Sequence, residues 1–310
     1  MLEEILEHYK QVGPYSYAGP YQKYYEYLPS ASSLTDDISE LGKLICSQVI
    51  HRVTLKEGNT GANTNLIYGD MTKFPWYRLR CEDDVLLTAV AMTAELFRLD
   101  ERGFFKERAT EHKIVVTCRY VSVLMSAILK AKGIPCRSRS GFAPYLNNTK
   151  SMDHWINQYW NESENRWITF DADGFFDDKV LGFSQYDIPS EKYDWAANTW
   201  LDIRSGNVDG KHYVYADSQG TQGLKAVIRA VFYDFHALMN HEISYNFQPS
   251  YIADKFESLS EADLSEIDQL AKWMLEPDQN FYELRNLWYT KQKYRILNSP
   301  LVDCGKEETL

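Results

Sequence analysis

The feature that most constrains the fold of this chain is an apolar helix that is followed directly by strands. In the stretch VVTCRYVSVLMSAILKAKGIPCR, residues 115–137, apolar side chains recur at the spacing of one helical face, at Val121, Leu124, Met125, Ile128 and Leu129. Thr117 is expected to cap the start of this helix, and Gly133 and Pro135 to end it. The pattern predicts a helix over residues 118–132 with one face in the core.

The apolar period changes to two after this helix. Residues 134–145, 153–160 and 166–172 are typical of strands, and the last two are expected to form a hairpin around NESEN. Helical patterns return from residue 221 onward. The order of helices, then a helix leading into an antiparallel sheet, then helices predicts an α+β fold.

Two further helices are predicted before the first one described. One follows a capping box at Ser33 and is marked by Ile38, Leu41, Leu44, Ile45 and Val49. The other covers residues 84–98. Residues 10–30, rich in Tyr, Gly and Pro, are expected to form an irregular segment on the surface of the core, and residues 57–65 a loop.

Composition argues against several classes of partner. The chain has 310 residues, a net charge of −11 and an isoelectric point of about 5.2, so we expect no nucleic-acid partner. The amino terminus lacks the order of a signal peptide, and no run approaches the roughly 18 apolar residues that cross a bilayer. Five widely spaced cysteines without a CxxC pair favour a reducing cytoplasm over a disulfide framework. We expect no metal and no cofactor, because no zinc, calcium or phosphate-loop motif occurs.

Cys118 begins the predicted helix, where unpaired backbone N–H groups and the helix dipole favour negative charge. A cysteine there can be simple core packing, but the position also stabilises a thiolate, which is the nucleophilic form of the side chain. A nucleophilic thiol needs a base and a group that orients this base. The candidates are His154 in the strand MDHWINQYW and Asp171 in the strand RWITFDAD.

The register of the hairpin decides how these two residues meet. If Trp160 lies opposite Asn165, His154 faces Asp171 directly. If Trp160 instead pairs with Trp167, His154 faces Asp173 and Asp171 is its diagonal neighbour, which is still within side-chain reach. Either register brings a carboxylate to the imidazole.

Three further residues are candidate contacts for the oxyanion or the substrate. The backbone N–H of Cys118 is one expected oxyanion donor, and Trp76 is a candidate for the second. Arg119 can contact a substrate carboxylate, although a structural ion pair is the simpler interpretation. Trp155, next to His154, is the third candidate. Cys46 is expected to serve packing.

The stretches TCRYVSVLMSAILKAKGIPCRSRSGF, DHWINQYW and RWITFDAD together resemble the transglutaminase-like superfamily. The resemblance implies a papain-like core in which Cys118 is the nucleophile, His154 the base and Asp171 the acid. We expect three regions: 1–75 (helical and Tyr-rich), 76–180 (catalytic core) and 181–310 (mostly helical). Tyr120 after Cys-Arg, and Ala172 in place of the Pro of cross-linking enzymes, depart from the family pattern.

The resemblance implies a cysteine-dependent acyl enzyme that acts on amide bonds of a protein or peptide. Hydrolysis is favoured over transfer to an amine, because nothing in the sequence marks a site for an acceptor amine. Two alternatives stay open: a binding or scaffold protein without turnover on the same fold, and an acetyltransferase that uses the same triad. The oligomeric state is not predicted.

Overall fold

The computed structural model describes residues 2–28, 34–52, 73–79, 82, 85–173, 178–216, 220–245, 247–249, 252 and 256–295. The predicted loop at 57–65 and the predicted capping residue Ser33 lie outside these residues. No helix in the described ranges has the length and apolar character needed to cross a membrane.

Helices make up most of the regular structure. The α-helices are Leu2–Lys10, Gln22–Glu26, Leu34–Cys46, Ala89–Leu99, Cys118–Ala131, Asp178–Leu181, Ala196–Arg204, Leu224–Leu238, Glu261–Leu275 and Phe281–Thr290. Short 3₁₀ segments lie at Gly19–Tyr21, Trp76–Leu79, Thr110–His112, Pro144–Leu146, Ser190–Lys192, Gly210–His212, Phe256–Ser258 and Gln292–Tyr294.

The strands form two sheets. They are β1 (Val49–His51), β2 (Ile114–Val116), β3 (Cys136–Ala143), β4 (Ser151–Asn161), β5 (Arg166–Phe170), β6 (Asp194–Trp195) and β7 (Tyr213–Val214). β1 and β2 pair in parallel, and the larger sheet has the order β5-β4-β3-β6, with β7 paired to β4. The predicted α+β class is confirmed, with helical segments before and after the sheet.

The chain divides into two compact units. The first, called here the Cys118 unit, comprises residues 6–138 and 155–190, and the second, the C-terminal unit, comprises 1–5, 139–154 and 191–310. In the C-terminal unit the helix Leu224–Leu238 packs on Ala196–Arg204, which in turn packs on Glu261–Leu275.

The helix Cys118–Ala131 forms the core of the Cys118 unit. Every residue from Cys118 to Lys130 is buried. Its side chains share one apolar cluster with the helices Leu34–Cys46 and Ala89–Leu99 and with strand residues such as Tyr159, Ile168 and Phe170. Two hydrogen bonds also join this helix to β4: Asn157 Nδ2 donates to Ser122 O, and Ser122 Oγ donates to Ile156 O. The predicted helix over 118–132 is therefore confirmed.

The hairpin of β4 and β5 has the second of the two predicted registers. Trp160 lies opposite Trp167, so the register that places Trp160 opposite Asn165 is wrong. The turn occupies residues 162–165 because Asn161 Oδ1 accepts from the backbone N–H of Ser163, and Asn165 completes the turn with a positive φ of 51°.

Three predicted boundaries need correction. Val49 lies in β1 and not in the helix before it, because that helix ends at Cys46. The helix predicted from residue 84 begins at Ala89, since Thr88 is its N-cap and accepts from Ala91 N–H. Thr117 occupies the N-cap position before Cys118, but its side chain makes no cap hydrogen bond.

The Tyr-rich segment is more ordered than predicted. Residues 10–30 contain the helix Gln22–Glu26, and Tyr25 is fully buried within the apolar cluster of the Cys118 unit. The Tyr25 hydroxyl lies 2.5 Å from Thr93 Oγ1. The buried ring with a paired hydroxyl explains why a tyrosine-rich sequence without a helical period can still form core.

Candidate active site

The parallel pairing of β1 with β2 positions the candidate site. His51 ends β1 and lies opposite Val116, the last residue of β2. The chain then passes through Thr117 and enters the helix at Cys118. The ladder therefore brings His51 to the start of the helix, although 67 positions separate it from Cys118 in the sequence.

Cys118 occupies the first position of a 14-residue helix. Its side chain is buried, with 4% of the residue exposed, and it is not part of a disulfide. The positive end of the helix dipole favours the thiolate at this position. The prediction that Cys118 begins this helix is confirmed.

His51, Cys118 and Asp173 form one cluster. One ring nitrogen of His51, the Cys118 Sγ and a carboxylate oxygen of Asp173 all lie within 4.8 Å of one another. His51 Nε2 is 3.1 Å from Asp173 Oδ2 and also 3.1 Å from the backbone N of Cys118. With a proton on Nε2, His51 can donate to the Asp173 carboxylate. Without this proton, Nε2 can accept from the Cys118 amide N–H, so the two hydrogen bonds exclude each other.

The surroundings of His51 favour its charged form. Burial opposes the charge, but the negative charge of Asp173, the hydrogen bond to it and the contact with Cys118 outweigh this effect and raise the pKa of His51 to about 10. This raised pKa favours the imidazolium, which can donate to Asp173. A positive charge beside a thiol in turn lowers the pKa of that thiol.

Asp173 is held in place by the segment that follows β5. Asp171 Oδ1 accepts from the backbone N–H of Asp173. Gln185 anchors Asp171, because the two residues exchange a backbone hydrogen bond and a side-chain hydrogen bond at 2.9 and 2.7 Å. Cys46 Sγ donates to Ala172 O at 2.6 Å, so this cysteine, expected only to pack, also fixes the carboxylate segment.

The predicted base and acid occupy different surroundings. His154 lies in β4 and is buried; its backbone O accepts from Tyr193 Oη at 2.7 Å, and its ring meets Tyr145 edge to face. Asp171 follows β5 directly and is fully buried. Their pairing with Cys118 stays a prediction.

The other predicted contacts are placed as follows. Arg119 is fully buried; its Nη1 donates to Leu87 O and its guanidinium lies over the Tyr15 and Tyr120 rings. Trp155 is buried in β4. The backbone of Trp76 starts a 3₁₀ segment, and its side chain lies outside what the structure describes. Their roles at the substrate stay predictions.

A nitrogen, a sulfur and a carboxylate oxygen are donors that also suit zinc. A metal on His51 Nε2 would need the lone pair of this nitrogen, and the amide N–H of Cys118 points at it from 3.1 Å. The raised pKa of His51 also opposes a metal, which binds the neutral ring. The cluster fits a thiol–imidazole–carboxylate arrangement better than a metal site.

His51 is the site residue that the sequence interpretation missed. The helical pattern was extended through Val49, which hid the short strand VIH. A signal was present, because the β-branched pair in QVIH and the β-branched triplet in KIVV are typical of short strands, and the second stretch leads into Cys118.

Comparison with known proteins agrees with the architecture. A cysteine at the start of a buried helix that packs on an antiparallel sheet defines the papain-like α+β class. Residues 105–172 match the model of the transglutaminase-like superfamily, and this range contains Cys118, His154 and Asp171. The matched range, residues 105–172, is therefore similar to the core of the transglutaminase-like superfamily. No curated protein shows a significant sequence match.

One similar solved structure is described as "a Putative Cysteine Protease from Cytophaga hutchinsonii". The two share 15% identity with a TM-score of 0.35, over 62% of this chain and 45% of that chain. This chain thus spans less than half the length of that protein. A similarity of this size carries no argument about the reaction.

Proposed function

We propose that this protein is a cysteine-dependent acyl enzyme that acts on amide bonds of a protein or peptide, with Cys118 as the nucleophile. The observation that carries the proposal is the Cys118 sulfur at the start of a helix, within 4.8 Å of an imidazole nitrogen and a carboxylate oxygen. A thiol in this setting is activated, whereas a thiol that only packs has no need of a charged partner.

The reaction proceeds through a thioester. The Cys118 thiolate adds to the substrate carbonyl, the C–N bond breaks, and the amine leaves with a proton from an imidazolium. Water then adds to the thioester, the thiolate leaves, and the imidazole regains its proton. From the family motif, we propose His154 as the group that protonates the amine and Asp171 as the residue that orients His154.

Hydrolysis is the proposed outcome rather than transfer to an amine. This choice rests on the sequence, which marks no acceptor site. A reducing, cytoplasmic compartment is part of the proposal, because Cys46, Cys118 and Cys136 form no disulfides and the nucleophile has to stay reduced. The domain boundaries after residues 75 and 180 also stand as proposals.

Trapping of the acyl enzyme tests the proposal. The protein is mixed with a peptide library and, separately, with acyl thioesters, and is quenched in acid. Intact-mass and peptide mass spectrometry should then find an acyl group on Cys118. Cys118→Ala should abolish the adduct, whereas the matched variant Cys136→Ser, at another buried cysteine, should retain it.

The two alternatives give different outcomes. An adduct from thioesters but never from peptides would favour an acetyltransferase. No adduct from either, with Cys118 no more reactive than other accessible thiols, would contradict an enzymatic role and favour a binding protein on the same fold.

A further inference from the structure

We propose that His51, held by Asp173, is a catalytic residue of this site that takes the proton of Cys118 and keeps the nucleophile as a resting thiolate. The proposal rests on the proposed function and adds a second histidine to it. His154 would then protonate the leaving amine, and His51 would serve the thiol. Neither His51 nor Asp173 lies in the range that matches the family model, residues 105–172.

The positions of His51, Cys118 and Asp173 support this assignment independently of their charges. His51, Cys118 and Asp173 all belong to the Cys118 unit and lie on elements that constrain one another. His51 is fixed by the β1–β2 ladder, Cys118 by the helix that follows β2, and Asp173 by the hydrogen bond of its N–H to Asp171. The His51 side chain is 19% exposed, so most of the ring is shielded from solvent.

The proton transfer is balanced within the pair. The S–H bond of Cys118 breaks, an N–H bond forms on His51, and a neutral pair becomes a thiolate and an imidazolium. Asp173 is the acceptor that stabilises the charged ring. Among the described residues, Asp173 and Cys118 act on His51, and together they favour the ionic state despite burial.

Protonation of His51 has a second consequence for the site. A charged ring has no lone pair on Nε2, so it cannot accept the amide N–H of Cys118, which is 3.1 Å away. This N–H is then available to the oxyanion of the tetrahedral intermediate. The event that creates the nucleophile thus also frees an oxyanion donor.

The pH dependence of alkylation tests the assignment. Iodoacetamide reacts with the thiolate, so the pH midpoint of its reaction with Cys118 reports the pKa of the thiol. In the unmodified protein the midpoint should lie well below the ordinary value of about 8.5. His51→Gln should move it toward about 8.5 and slow labelling at pH 6.5 at least tenfold, whereas His154→Gln and the exposed control His212→Gln should leave the midpoint in place.

The outcomes separate this inference from the proposed function. If His154→Gln raises the midpoint and His51→Gln does not, the inference is overturned while the cysteine enzyme stands. If Cys118 has an ordinary midpoint in the unmodified protein, both fail.

A measurement that needs no variant guards against misfolding of His51→Gln. The ¹⁵N shifts of the His51 ring in the intact protein should report a charged imidazole at pH 8. A neutral ring at pH 8 would overturn the inference, whatever the variants do.

Discussion

Two buried histidines of this protein have pKa values shifted in opposite directions, and their neighbours explain the difference. His51 faces a carboxylate and a thiol, and its pKa is raised to about 10 despite burial. His236 lies in the helix Leu224–Leu238 against the Trp288 ring, and its Nδ1 donates to Phe232 O at 2.7 Å. Burial, with smaller effects of His241 and Arg295, lowers the pKa of His236 to about 3 even though this hydrogen bond favours the charged ring.

The depressed pKa of His236 predicts a loss of stability in acid. Between pH 6.5 and about 3 the unfolded chain binds a proton at this residue and the native protein does not. The stability that the neutral His236 ring contributes is therefore complete above pH 6.5. As the pH falls, the free energy of unfolding decreases by up to about 1.4 kcal/mol per pH unit. Urea denaturation should show that the free energy of unfolding falls more between pH 7 and pH 5 in the unmodified protein than in His236→Phe.

The control for this experiment is His212→Gln, because His212 is exposed and should leave the pH dependence unchanged. An equal decrease in the free energy of unfolding for the unmodified protein and for His236→Phe would contradict the prediction.

At the scale of elements, two ion pairs of similar geometry differ in burial. Arg139 in β3 binds both carboxylate oxygens of Asp234, in the helix Leu224–Leu238, at 2.8 Å, and these side chains are 5% and 0% exposed. Arg166 binds both oxygens of Asp187 at 3.0 and 2.7 Å, but these side chains are 44% and 45% exposed. Solvent screens the second pair and not the first.

Removal of one partner should therefore cost very different free energies. Asp234→Asn leaves the Arg139 charge buried without its counter-charge and should lower the free energy of unfolding by about 3–5 kcal/mol. The matched control Asp187→Asn should lower it by less than about 1 kcal/mol. Chemical denaturation of both variants measures this, and equal losses would show that burial does not set the energy of the Arg139 pair.

The type of an element could be predicted from the sequence where its apolar pattern extended over several turns or alternations. The helix Cys118–Ala131 and the three strands that follow it, β3, β4 and β5, follow from apolar periods alone. Short elements do not follow from periodicity, because the three residues of β1 have the same apolar pattern as the end of a helix, and only their β-branched side chains indicate a strand. The hairpin register was left open because both alternatives preserve alternation, and the asparagine-stabilised turn decides between them.

For the whole molecule, the net charge of −11 predicts a preference among substrates. A negative protein attracts cationic peptides and repels anionic ones over the range of the Debye length. Of two peptides with the same cleaved segment, the one with a cationic tail should have a kcat/KM about threefold higher at low salt. Assays at rising NaCl should bring the ratio toward one, and a ratio independent of salt would contradict a long-range origin.

The sequence by itself determined the α+β class, the helix that begins at Cys118 and the resemblance of residues 105–172 to a known core, because these follow from local periodicity and from three motifs that lie close together in the chain. It did not determine which imidazole lies at the sulfur. His51 reaches Cys118 through a parallel strand pair and Asp173 through the turn after β5, and such contacts depend on packing between segments far apart in the chain. Local patterns carry no information about these distances, so only the tertiary structure could bring His51 to the thiol.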